Sequence, residues 1–267
     1  MSAESTHLKD TQSEPDFRQI AIDRVGVKGL RYPLRIRDKA RESQHTIATC
    51  ALTVDLPHHH KGTHMSRFVE VLNEFGPELH VDNIRTLLAD LRTRLDSESA
   101  HVDFDFPFFL EKPAPVTGAV GLMDYTVRFA ATIERGTIDF VVTVIVPVTT
   151  VCPCSKAISA RGAHNQRGQV TFAIRFAKPI WIEDLVRLVE DSASCELYSL
   201  LKRPDEKAVT EQAYDNPVFV EDLVRNIAER ADAHADITWY CVEAENFESI
   251  HNHNAYARIE RRKTSEQ

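Results

Sequence analysis

The chain has 267 residues, 43% of them hydrophobic and 27% charged, which is enough apolar material for one large core or two smaller ones. A formal net charge of −8 argues against bulk electrostatic binding of nucleic acid or anionic lipid, while leaving room for a locally basic pocket. Five cysteines without disulfide spacing, a polar start with no apolar leader, and no apolar run long enough to span a bilayer predict a thiol-reduced, cytoplasmic protein.

Residues 1–19 are rich in Ser, Thr, Glu and Gln and predict a disordered tail, as do residues 263–267. Residues 30–37 and 45–56 read as strands, and 66–75 as a short helix. Residues 83–95 read as a firm helix with Ile84, Leu87, Leu88, Leu91 and Leu95 on one face. In 101–109, Val102, Phe104, Phe106 and Phe108 alternate with polar positions including Asp103 and Asp105, the mark of a half-buried strand. Residues 123–133 repeat the pattern through Tyr125, Val127, Phe129 and Ala131.

A second round follows. Residues 137–148 are β-branched and strand-like, and 168–176 alternate Val170, Phe172, Ile174 and Phe176. Residues 182–191 read as a helix. So do 217–233, with Asn216 as cap, Pro217 in the first turn, and Glu221 and Asp222 near the positive end. Strands at 237–243 and 254–259 close the chain. The element order is ββααββ twice, which divides the chain into modules at 20–134 and 135–262. The expected class is α+β: a largely antiparallel sheet with helices on one face. Its open edges favour a ring-like homo-oligomer.

Polar residues recur between these elements. Cys152-Pro153-Cys154-Ser155-Lys156 follows the 137–148 strand. If the segment is extended, Cys152 and Cys154 point the same way. They read either as a thiolate ligand with a second thiol nearby or as two small buried residues. His164 lies in the polar loop Gly162-Ala163-His164-Asn165-Gln166-Arg167, too far from Cys152 for a zinc finger but compatible with a site assembled by the fold. Lys202-Arg203-Pro204-Asp205-Glu206-Lys207 offers Glu206 as an oxygen ligand and Lys202 and Arg203 as phosphate partners, or it is a solvated loop. His251 and His253 follow Glu243, Glu245 and Glu248; one imidazole suits acid–base work, or the segment is a polar hairpin turn. In Lys61-Gly62-Thr63-His64-Met65-Ser66-Arg67-Phe68, Thr63 or Ser66 can cap the next helix, whose N-terminus would attract phosphate. The triplet His58-His59-His60 carries little weight. Thiol, imidazole and carboxylate together are the donors of a metal-assisted hydrolase site.

Taken jointly and in order, these motifs, with Pro147-Val148-Thr149 and Glu245-Asn246-Phe247-Glu248-Ser249-Ile250-His251-Asn252-His253, resemble the type IB branch of GTP cyclohydrolase I across residues 23–259. The resemblance implies a bimodular tunnelling fold that assembles into an oligomeric barrel, a homotetramer. It implies conversion of GTP and water to 7,8-dihydroneopterin triphosphate and formate, the entry to folate-type pterin synthesis. A divalent metal, manganese or zinc or else iron, would serve without an organic cofactor. By motif, Cys152, His164 and Glu206 would hold the metal, with Cys154 beside them. His251 would act as acid and base. Glu221 would anchor guanine, and Lys61, Arg67, Arg161, Arg167, Lys202 and Arg203 are the local cations for triphosphate. Partners would be GTP and further copies of the chain, with neither nucleic acid nor membrane. Other readings are an archaeal-like cyclohydrolase giving a cyclic phosphate, another tunnelling-fold activity such as nitrile reduction, and a noncatalytic metal- or thiol-sensing protein.

Overall fold

A computed structural model describes residues 12 and 14–263. The parts of the expected tails at 1–11, 13 and 264–267 lie outside the described residues. In chain order the elements are β1 Ile22–Asp38, β2 Glu42–Leu56, α1 Met65–Phe75, β3 Glu78–Leu79, α2 Val81–Leu95, β4 Ser99–Pro113, β5 Val120–Glu134, β6 Thr137–Val151, α3 Pro153–Ile158, β7 Asn165–Phe176, α4 Ile182–Glu190, β8 Cys195–Glu196, α5 Arg203–Asp215, α6 Val220–Ala233, β9 Ile237–Asn246 and β10 Ala255–Arg262. Strand order is β10-β9-β7-β6-β5-β4-β2-β1-β3, with β8 paired to β6. β6, β7, β9 and β10 are antiparallel neighbours, whereas β3 runs parallel to β1.

By contact the chain forms two units. Residues up to Ile36, Ile47–Phe104 and Ala130–Phe140 make the first. Arg37–Thr46, Asp105–Phe129 and the chain from Val141 onward make the second. In the first unit α1 and α2 pack together, and the stripe Ile84, Leu87, Leu88, Leu91 and Leu95 is buried. Residues just before β1 lie along the segment that leads into α1: Pro15 bridges His60, and Lys61 Nζ donates to Glu14 Oε2 at 2.7 Å. In the second unit α6 packs on β9 and β10 through Val220, Leu223, Val224, Ile227, Ala228 and Ala231. Each fully buried Val, Leu, Ile or Phe side chain contributes about 1.5–3 kcal/mol.

The elements outrun the hydrophobic pattern where they are solvated. β1 starts at Ile22 rather than at residue 30, because its first eight residues are exposed or half-buried and show no alternation. α5 was not predicted at all. Among its thirteen residues only Asp205 and Ala213 are buried, so no apolar stripe announces it, although Pro204 suits a first turn. α6 begins at Val220 with Phe219 at the N-cap. Asn216 instead ends α5, and its Nδ2 donates to Ala193 O at 2.9 Å. The cap of α1 is His64, not Thr63 or Ser66, and it makes no side-chain capping bond. The second round thus carries α3 and α5 beyond the simple ββααββ order.

The second unit also contains a buried ionic cluster. Lys112 Nζ on β4 lies 2.6 Å from Glu190 Oε1 on α4 and 2.5 Å from Glu196 Oε2 on β8. Tyr125 OH donates to Glu190 at 2.7 Å, and Tyr198 OH donates to Glu196 at 2.5 Å. Burial pushes the Glu190 carboxyl up despite Lys112. Burial also works to raise Glu196, but hydrogen bonds from Lys112 and Tyr198 outweigh it and hold that carboxyl down. A cavity of about 730 Å³ lined by this cluster includes none of the predicted site residues.

Candidate functional site

The site is built on the ends of β6, β7 and β9. The last residue of β6, Val151, is pinned on both sides. Its N–H donates to Ser194 Oγ and its carbonyl accepts from Val218 N, both at 3.0 Å. Cys152 follows as the N-cap of α3, where Pro153 suits the first helical position. The thiol accepts from Ser155 N at 3.4 Å. The chain therefore turns helical at Pro153 instead of staying extended. Cys152 is half-buried and Cys154 exposed, so the expectation that the two thiols project alike is corrected.

The strand β7 returns to this point. Cys152 N donates to His164 O at 3.1 Å, and Ser155 Oγ bridges Cys152 O at 3.0 Å and His164 N at 3.1 Å. Cys152 and His164 are thus held together by backbone bonds, although twelve residues separate them. His164 Nδ1 lies 3.0 Å from Gln166 Oε1, and Gln166 Nε2 donates to Thr150 Oγ1 at 3.0 Å.

The end of β9 adds a carboxylate. Gly168 pairs with Asn246, and a Cβ at Gly168 would stand 2.7 Å from Asn246 Oδ1. Glycine permits this close approach, and Phe247 N then donates to Arg167 O at 2.9 Å. The next residue, Glu248, places Oε2 3.9 Å from His164 Nδ1, with side-chain exposures of 11% and 14%. That oxygen is buried and has no hydrogen-bond partner among the described residues. Ser249 Oγ lies 3.4 Å from the same nitrogen. In the sequence Glu248 is one acceptor among Glu243, Glu245 and Glu248, with nothing to set it beside His164. The one available signal was its position in the Glu245–His253 motif.

α5 packs against this corner through Val209 and Ala213, which meet Val151 and Ala163. Its N-cap Lys202 and the first-turn residues Arg203 and Glu206 are all exposed. Their neighbour Asp205 is fully buried and accepts from Val116 N at 2.9 Å, Thr117 N at 2.8 Å, Thr117 Oγ1 at 2.6 Å and Lys202 N at 2.9 Å. Burial works to raise its carboxyl, yet these bonds hold it well below the usual carboxylate range. Glu221 is exposed on the first turn of α6. The exposed rings of His251 and His253 stack with centroids 5.2 Å apart. Arg67 belongs to the first unit, on α1, and its guanidinium reaches Arg94 O at 3.5 Å.

Among the described residues no three Cys, His, Asp or Glu side chains stand together as a finished metal shell. The donor chemistry nevertheless fits a divalent ion. A thiol and an imidazole lie on hydrogen-bonded backbone, and beside the imidazole is a buried carboxylate oxygen that nothing satisfies. Such mixed soft and hard donors accept more than one metal. No helix is long and apolar enough to cross a membrane.

A family model described as type I GTP cyclohydrolase folE2 matches residues 8–257. GTP cyclohydrolase FolE2 of Akkermansia muciniphila is 63% identical over 257 residues, covering 95% of this chain and 97% of that protein. The FolE2 proteins of Syntrophus aciditrophicus and Methylobacillus flagellatus are 59% and 54% identical, covering 94% and 96% of this chain and 99% and 96% of those proteins. Among solved structures, uricase of Arthrobacter globiformis superposes with a TM-score of 0.56 at 9% identity, covering 92% of this chain and 95% of that one. Urate oxidase of Bacillus sp. TB-90 gives 0.54 at 6%, covering 91% and 100%. At such identity the likeness shows the fold alone, which is the α+β tunnelling fold. With β6, β7 and β9 bringing its motifs to one corner and full-length relatives at 54–63% identity, the chain belongs to the type I GTP cyclohydrolase folE2 family.

Proposed function

We propose that this chain converts GTP and water to 7,8-dihydroneopterin triphosphate and formate at the corner formed by Cys152, His164 and Glu248. The observation that carries the location is the buried, unsatisfied Glu248 oxygen 3.9 Å from His164, on backbone tied to Cys152. Cys152, His164 and Glu206 would hold a manganese, zinc or iron ion, with Glu248 as a further oxygen donor at hand. When bound, the ion supplies water acidified to near-neutral pKa.

The remaining work falls to side chains. Glu221 accepts from guanine N1–H and the 2-amino group, which orients C8 toward the attacking water. His251, exposed at the end of the Glu248 segment, delivers protons as the five-membered ring opens and as formate leaves. Cys154, exposed on the first turn of α3, is a second thiol of the same segment. Lys202, the exposed N-cap of α5, and Arg203 on its first turn supply positive charge for the triphosphate. In a protein of net charge −8 such local cations decide where the triphosphate binds. Copies of the chain assemble as a tetrameric barrel, which would cover the outer strand β10, whose residues are exposed or half-buried. Five free thiols suit a cytoplasmic setting.

The test is turnover of GTP by metal-stripped protein with manganese, zinc or no addition, following formate and pterin fluorescence, with Cys152→Ala in parallel. Metal-dependent release of both products, lost in the variant, is the expected result. Absence of formate with every metal overturns the proposal. Phosphate analysis of the product separates a triphosphate from a cyclic phosphate.

A further inference from the structure

We infer that Gln166, anchored by Thr150, is a positioning residue that sets His164 as the Nδ1–H tautomer and leaves Nε2 as its basic nitrogen. The inference deepens the proposed function and rests on His164 being part of that site. Neutral imidazole has one donor and one acceptor nitrogen, and a hydrogen bond at one nitrogen decides the role of the other. Here Nδ1 faces Gln166 Oε1 at 3.0 Å and, further off, Ser249 Oγ at 3.4 Å, a hydroxyl that can accept or donate.

An amide can face an imidazole with its oxygen or its nitrogen, so the neighbours decide which. Gln166 and Thr150 are both buried, and Gln166 Nε2 is engaged by Thr150 Oγ1 at 3.0 Å. A threonine hydroxyl accepts or donates, so this contact permits both amide orientations; in the one the structure has, the amide oxygen faces Nδ1 and can only accept. Glu248 breaks the remaining ambiguity. Its Oε2 lies 3.9 Å from the same Nδ1, and a lone pair there would face a carboxylate across a largely buried gap. A proton on Nδ1 turns that repulsion into attraction. Gln166 and Glu248 therefore select the same tautomer, and the Ser249 hydroxyl accommodates it by accepting.

The fold supplies the two anchors together. Thr150 on β6 and Gln166 on β7 are register partners in the antiparallel pair, so the ladder that ties Cys152 to His164 also orients the imidazole. Histidine ligands generally hold their tautomer through such a partner, and its loss costs about 10–100-fold in metal affinity.

The experiment uses full-length protein labelled with ¹⁵N-histidine, stripped of metal, with tautomers read from two-bond ¹H–¹⁵N spectra and Co²⁺ affinity measured by titration. Wild type should show His164 protonated at Nδ1. Gln166→Met leaves Glu248 at 3.9 Å, beyond hydrogen-bond reach, so it should shift the population toward Nε2–H and weaken Co²⁺ binding by about 10–100-fold. Gln166→Glu should keep the Nδ1 proton and the affinity, which a purely structural role would not require. Should Gln166→Met fail to fold, Thr150→Val releases the amide while keeping its oxygen and should weaken Co²⁺ binding less. An Nε2–H tautomer in wild type overturns the inference. So does Gln166→Met, or in its place Thr150→Val, with unchanged tautomer and affinity. If wild type shows the expected tautomers but releases no formate from GTP, the cyclohydrolase assignment falls while the role of Gln166 stands.

Discussion

Replacing Lys112 by Met removes the cation that bridges Glu190 and Glu196 and keeps most of the side-chain volume. The Lys112 and Glu190 side chains are 10% and 9% exposed and Glu196 is 31% exposed, with Nζ–O distances of 2.6 and 2.5 Å. Stripping one partner from a buried pair costs about 3–5 kcal/mol because the other charge stays buried. The partial exposure of Glu196 places the expected loss near the lower end, about 3 kcal/mol at pH 8. Glu190 relieves part of this by taking a proton. Burial already raises its carboxyl, and without Lys112 it rises further. A carboxyl whose folded pKa exceeds its unfolded value stabilises the fold at low pH, and that contribution is lost as pH rises through the folded pKa. The loss should therefore be smaller at pH 5.5 than at pH 8. Urea unfolding followed by circular dichroism, at fixed protomer concentration, measures both values. Adding Glu190→Gln and Glu196→Gln to Lys112→Met should recover most of the loss, since the cost lies in uncompensated charge. A loss below about 1 kcal/mol at pH 8 would show a solvent-screened pair and refute the reasoning, as would greater damage at pH 5.5.

Asp205→Asn puts an amide among four donors and should lower stability at neutral pH. The wild-type carboxyl is depressed, so its contribution is present above the ordinary aspartate pKa and lost as pH falls toward the folded value. Acid titration by circular dichroism should accordingly show a shallower acid transition for Asp205→Asn. Gly168→Ala drives a Cβ to 2.7 Å from Asn246 Oδ1 and 3.3 Å from Val148 Cγ2. Thermal unfolding should report a cost of about 1–3 kcal/mol, and formate release should fall with it because Glu248 follows Asn246 closely. Gly26→Ala meets backbone, with Leu52 O 2.1 Å from the new Cβ, and should be at least as damaging to the first unit by the same measurement. Glu248→Gln keeps the shape and removes the charge beside His164. Metal affinity and formate release should drop together while the unfolding midpoint stays near wild type.

The strands and helices that bury one face were legible because burial imposes a period on the sequence. Ile84 to Leu95 in α2 and Val102 to Phe108 in β4 occupy the positions their periodicity predicts. α5 and the first half of β1 were not legible, because solvated backbone carries no such period and is held by hydrogen bonds and caps. The same distinction governs the site. Cys152, His164, Glu206 and His251 stand out by residue type and motif, so the chemistry available was readable from the chain alone. Their relations were not. Sequence spacing suggested two thiols on one extended face, and Pro153 turns the chain into a helix instead. Nothing local joins Glu248 to His164, which are 84 residues apart by number; the β7–β9 register and the close approach at Gly168 bring them together. Composition and motif determined which reactive groups this protein owns. Tertiary structure decided which of them meet, because strand register is a long-range hydrogen-bonding property that no single segment encodes.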